Sequence, residues 1–202
     1  MEIEGQWYVF YHRQTGKNEY SRQAMMEPVD VALGKDGRLY IGDVKYLAGE
    51  PVSSKPVEMT SQGPHINGLD AYKWISAGYA CHLSGGSKTA YIEPVYEERD
   101  DVSMPVSDIT SGTTVGFKYL QFGCVSAKTV TVVLAKPAKV TVKAHLDYHK
   151  GRVISTIGFN GAKPEETGKI AEGVIGKHAV YFEFLTEDKE AALSFDRFTF
   201  DR

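Results

Sequence analysis

Trp7-Tyr8-Val9-Phe10-Tyr11-His12-Arg13-Gln14, followed by Arg22-Gln23-Ala24-Met25-Met26-Glu27-Pro28-Val29, is the pair of segments that decides the fold. Each is a short run rich in aromatic, β-branched or unbranched apolar residues, and neither shows the i, i+3, i+4 spacing of an amphipathic helix. The polar residues between them, beginning Thr15-Gly16-Lys17-Asn18, read as a turn, so the spacing predicts adjacent strands over Trp7–His12 and Ser21–Val29. His12, Arg13 and Arg22 stand where a plain core strand would carry Val or Leu.

The same reading extends along the chain. Strands are expected at Arg38–Ile41, Val115–Phe122, Thr129–Leu134, Lys139–Asp147, Val153–Gly158, His178–Leu185 and Leu193–Phe200. Gly34-Lys35-Asp36-Gly37 reads as a hairpin turn, and Leu69–Ser76 as a possible helical turn in an otherwise all-β chain. In the last strand, strict alternation would put Leu193, Phe195, Arg197 and Thr199 on one face and Ser194, Asp196, Phe198 and Phe200 on the other. Polar and turn-forming residues cluster at Thr60–Gly68, which sets a boundary near residue 64. Residues 65–202 then form a jelly-roll-type β-sandwich, while residues 1–64 supply only hairpins, which need a further surface to pack on. Residues 96–105 read as an acidic surface loop.

Composition narrows the function classes. Of 202 residues, 42% are hydrophobic and 24% charged, ordinary for a globular chain. A net charge of -3 with scattered Lys and Arg offers no basic field for nucleic acid. No run approaches the ~20 apolar residues of a membrane helix, and the acidic start Met1-Glu2-Ile3-Glu4-Gly5 carries no signal peptide. Cys81 and Cys124 sit among apolar residues and read as buried thiols, a disulfide between neighbouring strands being the alternative. His145 and His149 flank three residues at a strand end. Four residues of strand span ~13 Å, too far for two ligands of one ion.

Two motifs resemble known families. Tyr8-Val9-Phe10-Tyr11-His12-Arg13 with Tyr20-Ser21-Arg22-Gln23, and the later Pro56–Gly63, resemble the last blade of the five-bladed propeller of glycoside hydrolase family 43. Gly78-Tyr79-Ala80-Cys81 through Gly112–Phe122 resembles the β-sandwich appended to many such enzymes, similar to a family 6 carbohydrate-binding module. The resemblance implies an enzyme that hydrolyses xylose- and arabinose-containing plant polysaccharides. A motif of the final blade stands at the start of this chain, so the chain is expected to be the C-terminal portion of such an enzyme. Its partners would be polysaccharide and either the missing blades or a second chain, with no nucleic acid or membrane. The parent would be secreted or periplasmic.

Inverting hydrolysis needs a carboxylic acid and a carboxylate held apart around a water. In the family these acids come from earlier blades, and none of the acids in residues 1–64 matches them, so no catalytic residue is expected here and the isolated chain is expected to be inactive. The resemblance carries two roles across. His12 matches a histidine that approaches the propeller axis and binds calcium or its water shell, and Arg22 an arginine beside the sugar pocket. The plain alternatives are a strand-end histidine bonded to backbone and a surface ion pair. In the sandwich, Glu172–His178 lacks the aromatic and Leu193–Asp196 the asparagine that such modules use to hold sugar, while Trp74 reads as core. Tyr148, Phe159 and Asn160 offer a different site, and Asp196 matches an acid that helps hold structural calcium. Non-catalytic sugar binding and a purely structural sandwich therefore stand as the alternatives.

Overall fold

The computed structural model describes residues 1–14, 22–55, 63, 65–93, 104–171 and 173–202. Strands β1 (Glu2–Ile3), β2 (Gln6–Gln14) and β3 (Arg22–Val29) form an antiparallel sheet in that order. β2 and β3 are in register from Trp7↔Val29 to Gln14↔Arg22, the pairing the opening motif predicts. The expected turn at 15–18 and Ser21 lie outside the described residues. β4 (Val31–Leu33) and β5 (Leu39–Ile41) close the hairpin around Gly34–Gly37, where Gly34 N donates to Arg38 O at 2.9 Å and Gly37 takes φ 76°. A third hairpin, β6 (Asp43–Leu47) with β7 (Glu50–Lys55), is absent from the strands read in the sequence. Its turn is Ala48-Gly49 with φ of 53° and 84°, the paired positive angles of a primed two-residue turn.

From Leu69 onward the chain builds a sandwich. Its elements are β8 (Leu69–Asp70), β9 (Ile75–Ser76), β10 (His82–Ser84), β11 (Tyr91–Ile92), β12 (Val106–Ile109), β13 (Thr113–Gly123), β14 (Thr129–Leu134), β15 (Lys139–Leu146), β16 (Val153–Asn160), β17 (Glu165–Lys169), β18 (Gly176–Leu185) and β19 (Leu193–Asp201). The front sheet runs β10-β13-β18-β15-β16, with β8 parallel to one end of β13. The back sheet runs β11-β12-β19-β14-β17, with β9 on β19. From β12 to β19 the chain passes repeatedly between the two sheets, the jelly-roll path. The expected helical turn over 69–76 is replaced by β8, β9 and a 3₁₀ turn at Ala77–Tyr79, capped by Ser76 Oγ. Residues 60–62 and 64 of the expected boundary stretch and 96–103 of the acidic loop lie outside the described residues.

An aromatic stack fills the space between the sheets. Phe117, Phe122, Phe182, Phe184, Phe195, Phe198 and Phe200 are all fully buried. Their rings meet at an angle, with Phe117–Phe198 at 4.7 Å and Phe122–Phe200 at 4.9 Å, a geometry that adds to the burial of apolar area. The alternation read for β19 is corrected here. Phe195 faces the core together with Phe198 and Phe200, because Val133 pairs with Arg197 while the next residue, Leu134, pairs with Phe195. Asp196 is thus the extra residue of a bulge, and one inserted residue reverses the phase of every side chain before it. Cys81 is buried as expected, whereas Cys124 is exposed in the turn after β13; both are free thiols.

Candidate functional site

Alternation along β2 and β3 sorts their side chains onto two faces. His12 and Arg22 lie diagonally across the pair on one face, and Arg22 Nη1 hydrogen-bonds His12 Nε2. The structure therefore brings the two predicted site residues together. Both are exposed, and Phe10, 48% exposed, shares their face. The opposite face carries Tyr11, Arg13, Gln23 and Glu27. Glu27 is the one buried carboxylate among the described residues of this unit, and it accepts from Tyr11 Oη at 3.2 Å, turned away from His12.

That arrangement bears on calcium. The Nε2 lone pair of His12 meets a guanidinium, and no group of three or more His, Cys, Asp or Glu side chains suited to a metal occurs among the described residues. Calcium prefers six to eight oxygen ligands, several of them carboxylate. The residues around His12 do not fit a directly ligated ion.

Arg13, one position from the motif histidine, has a role the sequence reading did not contain. Its Nη1 donates to Cys81 O at 2.9 Å and its Nη2 to Ala80 O at 3.0 Å, while Nε reaches Gln23 Oε1 at 3.2 Å. Gln23 in turn donates to Gly78 O at 3.0 Å. The two side chains fasten the N-terminal sheet to the segment leading into β10. Burial pushes the Arg13 pKa down, opposed by the fields of Cys81 and Tyr11.

The outer face of the front sheet holds the richest group of titratable side chains. His82, Gly116, Tyr181 and His145 stand side by side on β10, β13, β18 and β15. Gly116 has no side chain because the Tyr181 ring occupies that space. The His82 ring meets Tyr181 edge-on at 5.5 Å and stacks on His149 at 5.9 Å, and Tyr148 adjoins His149 at 4.1 Å. His145 is held by Gly151 O at 3.0 Å and Glu183 Oε2 at 3.3 Å, so it is a satisfied structural histidine. Burial first, then the charges of His149, Lys118 and Arg13, hold His82 below the usual imidazole range. Burial also raises the Tyr181 phenol to about 12 and the Cys81 thiol to about 11. His82 and Tyr181 are thus both favoured in their uncharged forms.

The remaining sandwich candidates divide. Tyr148 is 56% exposed, but Phe159 is core and Asn160 Oδ1 is engaged by Ala162 N at 2.8 Å, so the three do not form one site. The expectation for Trp74 is overturned: the ring is 51% exposed, with Arg197 Cζ 5.1 Å from its centroid. Its neighbour Ile75 takes the inward position instead. Asp196 lies at the bulge, 3.7 Å from Arg197 Nε. Where a module would place its sugar-binding tryptophan, Val174 is buried and Ile175 exposed.

Comparison with known proteins places these features. No family model matches the chain. A curated xylosidase/arabinosidase of Thermoclostridium stercorarium is 26% identical over 213 aligned positions, which take in 96% of this chain and 40% of that protein. Among solved structures, a glycoside hydrolase family 43 arabinoxylan arabinofuranohydrolase from Bacillus subtilis, determined with cellotetraose, superposes with a TM-score of 0.62 at 20% identity. That match covers 100% of this chain and 40% of the other. A family 6 carbohydrate-binding module of Clostridium stercorarium, determined with cellobiose, covers 67% of this chain and 97% of its own length, with a TM-score of 0.54 at 18% identity. The chain spans about 40% of the length of the curated relative it matches. It is a homologue of a bacterial xylosidase/arabinosidase, and it folds as the end of a family 43 enzyme: propeller-type hairpins followed by a family 6-type β-sandwich.

Proposed function

We propose that this chain is the C-terminal portion of a glycosidase that hydrolyses xylose- and arabinose-containing plant polysaccharide, and that it is inactive alone. The observation that carries this is the His12–Arg22 pair on an open sheet face, in a chain matching 40% of a xylosidase/arabinosidase. A guanidinium steadied by an imidazole can orient sugar hydroxyls or a carboxylate in fixed geometry. It cannot protonate a leaving oxygen and activate water together, which takes two carboxyl groups. The buried Glu27 faces away from His12 and Arg22, which supports the reading that the acids are supplied from outside these residues. Polysaccharide does not enter cells, so the parent enzyme acts outside the cytoplasm, secreted or periplasmic.

The test is turnover of nitrophenyl xyloside and nitrophenyl arabinofuranoside. The chain alone should release no nitrophenol. An enzyme including the preceding sequence should do so, and should lose substrate affinity in Arg22→Ala. Hydrolysis by these 202 residues, abolished by replacing one of their own acids, would overturn the proposal.

A second reading, a non-catalytic module that holds carbohydrate, is favoured by the front-sheet face. Tyr148, His149 and His82 give it the ring surfaces that sugar CH faces stack on. Calorimetry with xylo-oligosaccharides, comparing the wild-type chain with Tyr148→Ala, decides it.

A further inference from the structure

We propose that Ser84 and His82 form a nucleophile–base pair that hydrolyses small acyl esters in the cleft lined by residues 83–90. This activity is separate from glycoside hydrolysis, for which the chain alone is inert, and it does not depend on the glycosidase reading.

Side chains two apart on a strand share a face, so β10 presents His82 and Ser84 together on the outside of the front sheet. Ser84 is exposed and His82 half-buried, and Ser84 Oγ lies 2.7 Å from His82 Nε2, within the reach a base needs to take a hydroxyl proton. Packing holds the imidazole in place. It meets Tyr181 edge-on at 5.5 Å, in the space that Gly116 leaves, and stacks on His149 at 5.9 Å. Among the described residues no carboxylate bonds the ring, so the arrangement is a dyad and not a triad. Burial favours the neutral imidazole, and with its proton on Nδ1 the Nε2 lone pair faces the Ser84 hydroxyl.

The turn after Ser84 supplies the other requirement. Gly85 and Gly86 take φ of 75° and 77°, and a Cβ on them would collide with Gly112 O and with the Thr110 and Thr113 hydroxyls, so this path demands glycine. Ser87 N and Lys88 N both donate to Thr110 Oγ1, at 2.8 Å and 3.4 Å, whereas Gly85 N and Gly86 N have no acceptor among the described residues. Unpaired N–H groups directly after a nucleophile are the donors that a developing oxyanion needs. The cleft is open, about 320 Å³, with Lys88 and the hydroxyls of Ser84, Ser87 and Thr89 in its lining. Its size and polar walls suit a short acyl group on an alcohol. In the first step Ser84 Oγ bonds the carbonyl carbon as its proton passes to His82 Nε2, and the carbonyl electron pair moves onto oxygen beside the glycine amides. The ester C–O bond then breaks, and the alcohol leaves with the proton from His82. Water repeats the sequence on the acyl-serine: His82 takes its proton, the Oγ–C bond breaks, the proton returns to Ser84 and the carboxylic acid departs.

A serine-reactive fluorophosphonate and nitrophenyl acetate test the proposal on the full 202-residue chain. The wild-type protein should take up the label on Ser84, located by peptide mass spectrometry, and should hydrolyse the acetate. Ser84→Ala should abolish both. His82→Gln keeps the hydroxyl and should slow both at least about 100-fold, the usual share of a general base. Ser84→Cys places another nucleophile beside His82 and should still cleave the acetate, which separates a lost nucleophile from a lost fold. Three results would overturn the proposal: no label on the wild-type chain, a label on another residue in place of Ser84, or acetate hydrolysis that persists in Ser84→Ala or is unchanged in His82→Gln. Each would leave the glycosidase reading standing, because that is decided separately by nitrophenyl xyloside turnover in the longer enzyme.

Discussion

Replacing Arg13 by Met should release the N-terminal sheet from the sandwich while leaving the sandwich folded. Arg13 makes two bonds to backbone carbonyls across the junction, at 2.9 Å and 3.0 Å. A hydrogen bond from a charged donor contributes about 1.5–3 kcal/mol, so the pair contributes roughly 3–6 kcal/mol before costs. Burying a guanidinium takes part of that back, as the downward push on its pKa shows, and Met keeps most of the stem's packing. The net coupling is then about 2–4 kcal/mol. Hydrogen exchange reads this directly, because local opening sets the exchange rate of protected amides. Peptides from β2 and β3 should exchange roughly 30–1000-fold faster in Arg13→Met, the same free energy expressed as a ratio. Peptides from β14 and β17, which make no contact with the segment Gly78–Cys81, should be unchanged. Arg13→Lys should recover only part of the protection, since an ammonium does not present the planar fork that reaches both carbonyls. Protection of β2 and β3 within threefold of wild type would show that the two units are held together by something else.

The other expectations concern the sandwich. A thiol reagent at pH 8 should modify Cys124 at once and Cys81 only on unfolding, because Cys81 is buried with its pKa near 11; two fast thiols would contradict the fold at β10. His82 has a folded pKa below its unfolded value of about 6.5, so its neutral form is favoured by folding; that stability is whole above pH ~6.5 and is lost as pH falls through the lower folded value. Thermal stability should therefore drop between pH 7.5 and pH 5, and less steeply in His82→Gln; identical slopes would remove His82 as the cause. Gly116→Ala should cost roughly 1–3 kcal/mol, because its Cβ would press into the Tyr181 ring. An unchanged urea midpoint would mean that ring lies elsewhere.

Much of the strand pattern was legible because half-buried strands alternate. Thr129–Leu134 is observed over the same residues as expected, and the opening motif forms the pair it predicted. What escaped has specific causes. The β6–β7 hairpin leaves Tyr46 69% and Leu47 71% exposed, so its apolar residues mark no buried face. The bulge at Asp196 has no signature in composition, yet it decides which side of β19 carries Phe195. Trp74 reads as core by type, and only the register of β9 on β19 shows that Ile75 has taken the inward place. His12 and Arg22 were legible as a motif, and their contact follows once β2 and β3 are in register. Arg13 was not legible as a fastener, because its acceptors are carbonyl oxygens, which every residue possesses.

That last property reaches into how such proteins diversify. Gly78, Ala80 and Cys81 receive the N-terminal sheet through their main chain alone, so the joint asks of them only small side chains that keep the local path, and nothing of the sandwich surface elsewhere. A blade bearing the Arg/Gln pair can therefore seat on sandwiches of unrelated surface chemistry. Recombination between genes could exchange one sugar-handling module for another without re-evolving the joint.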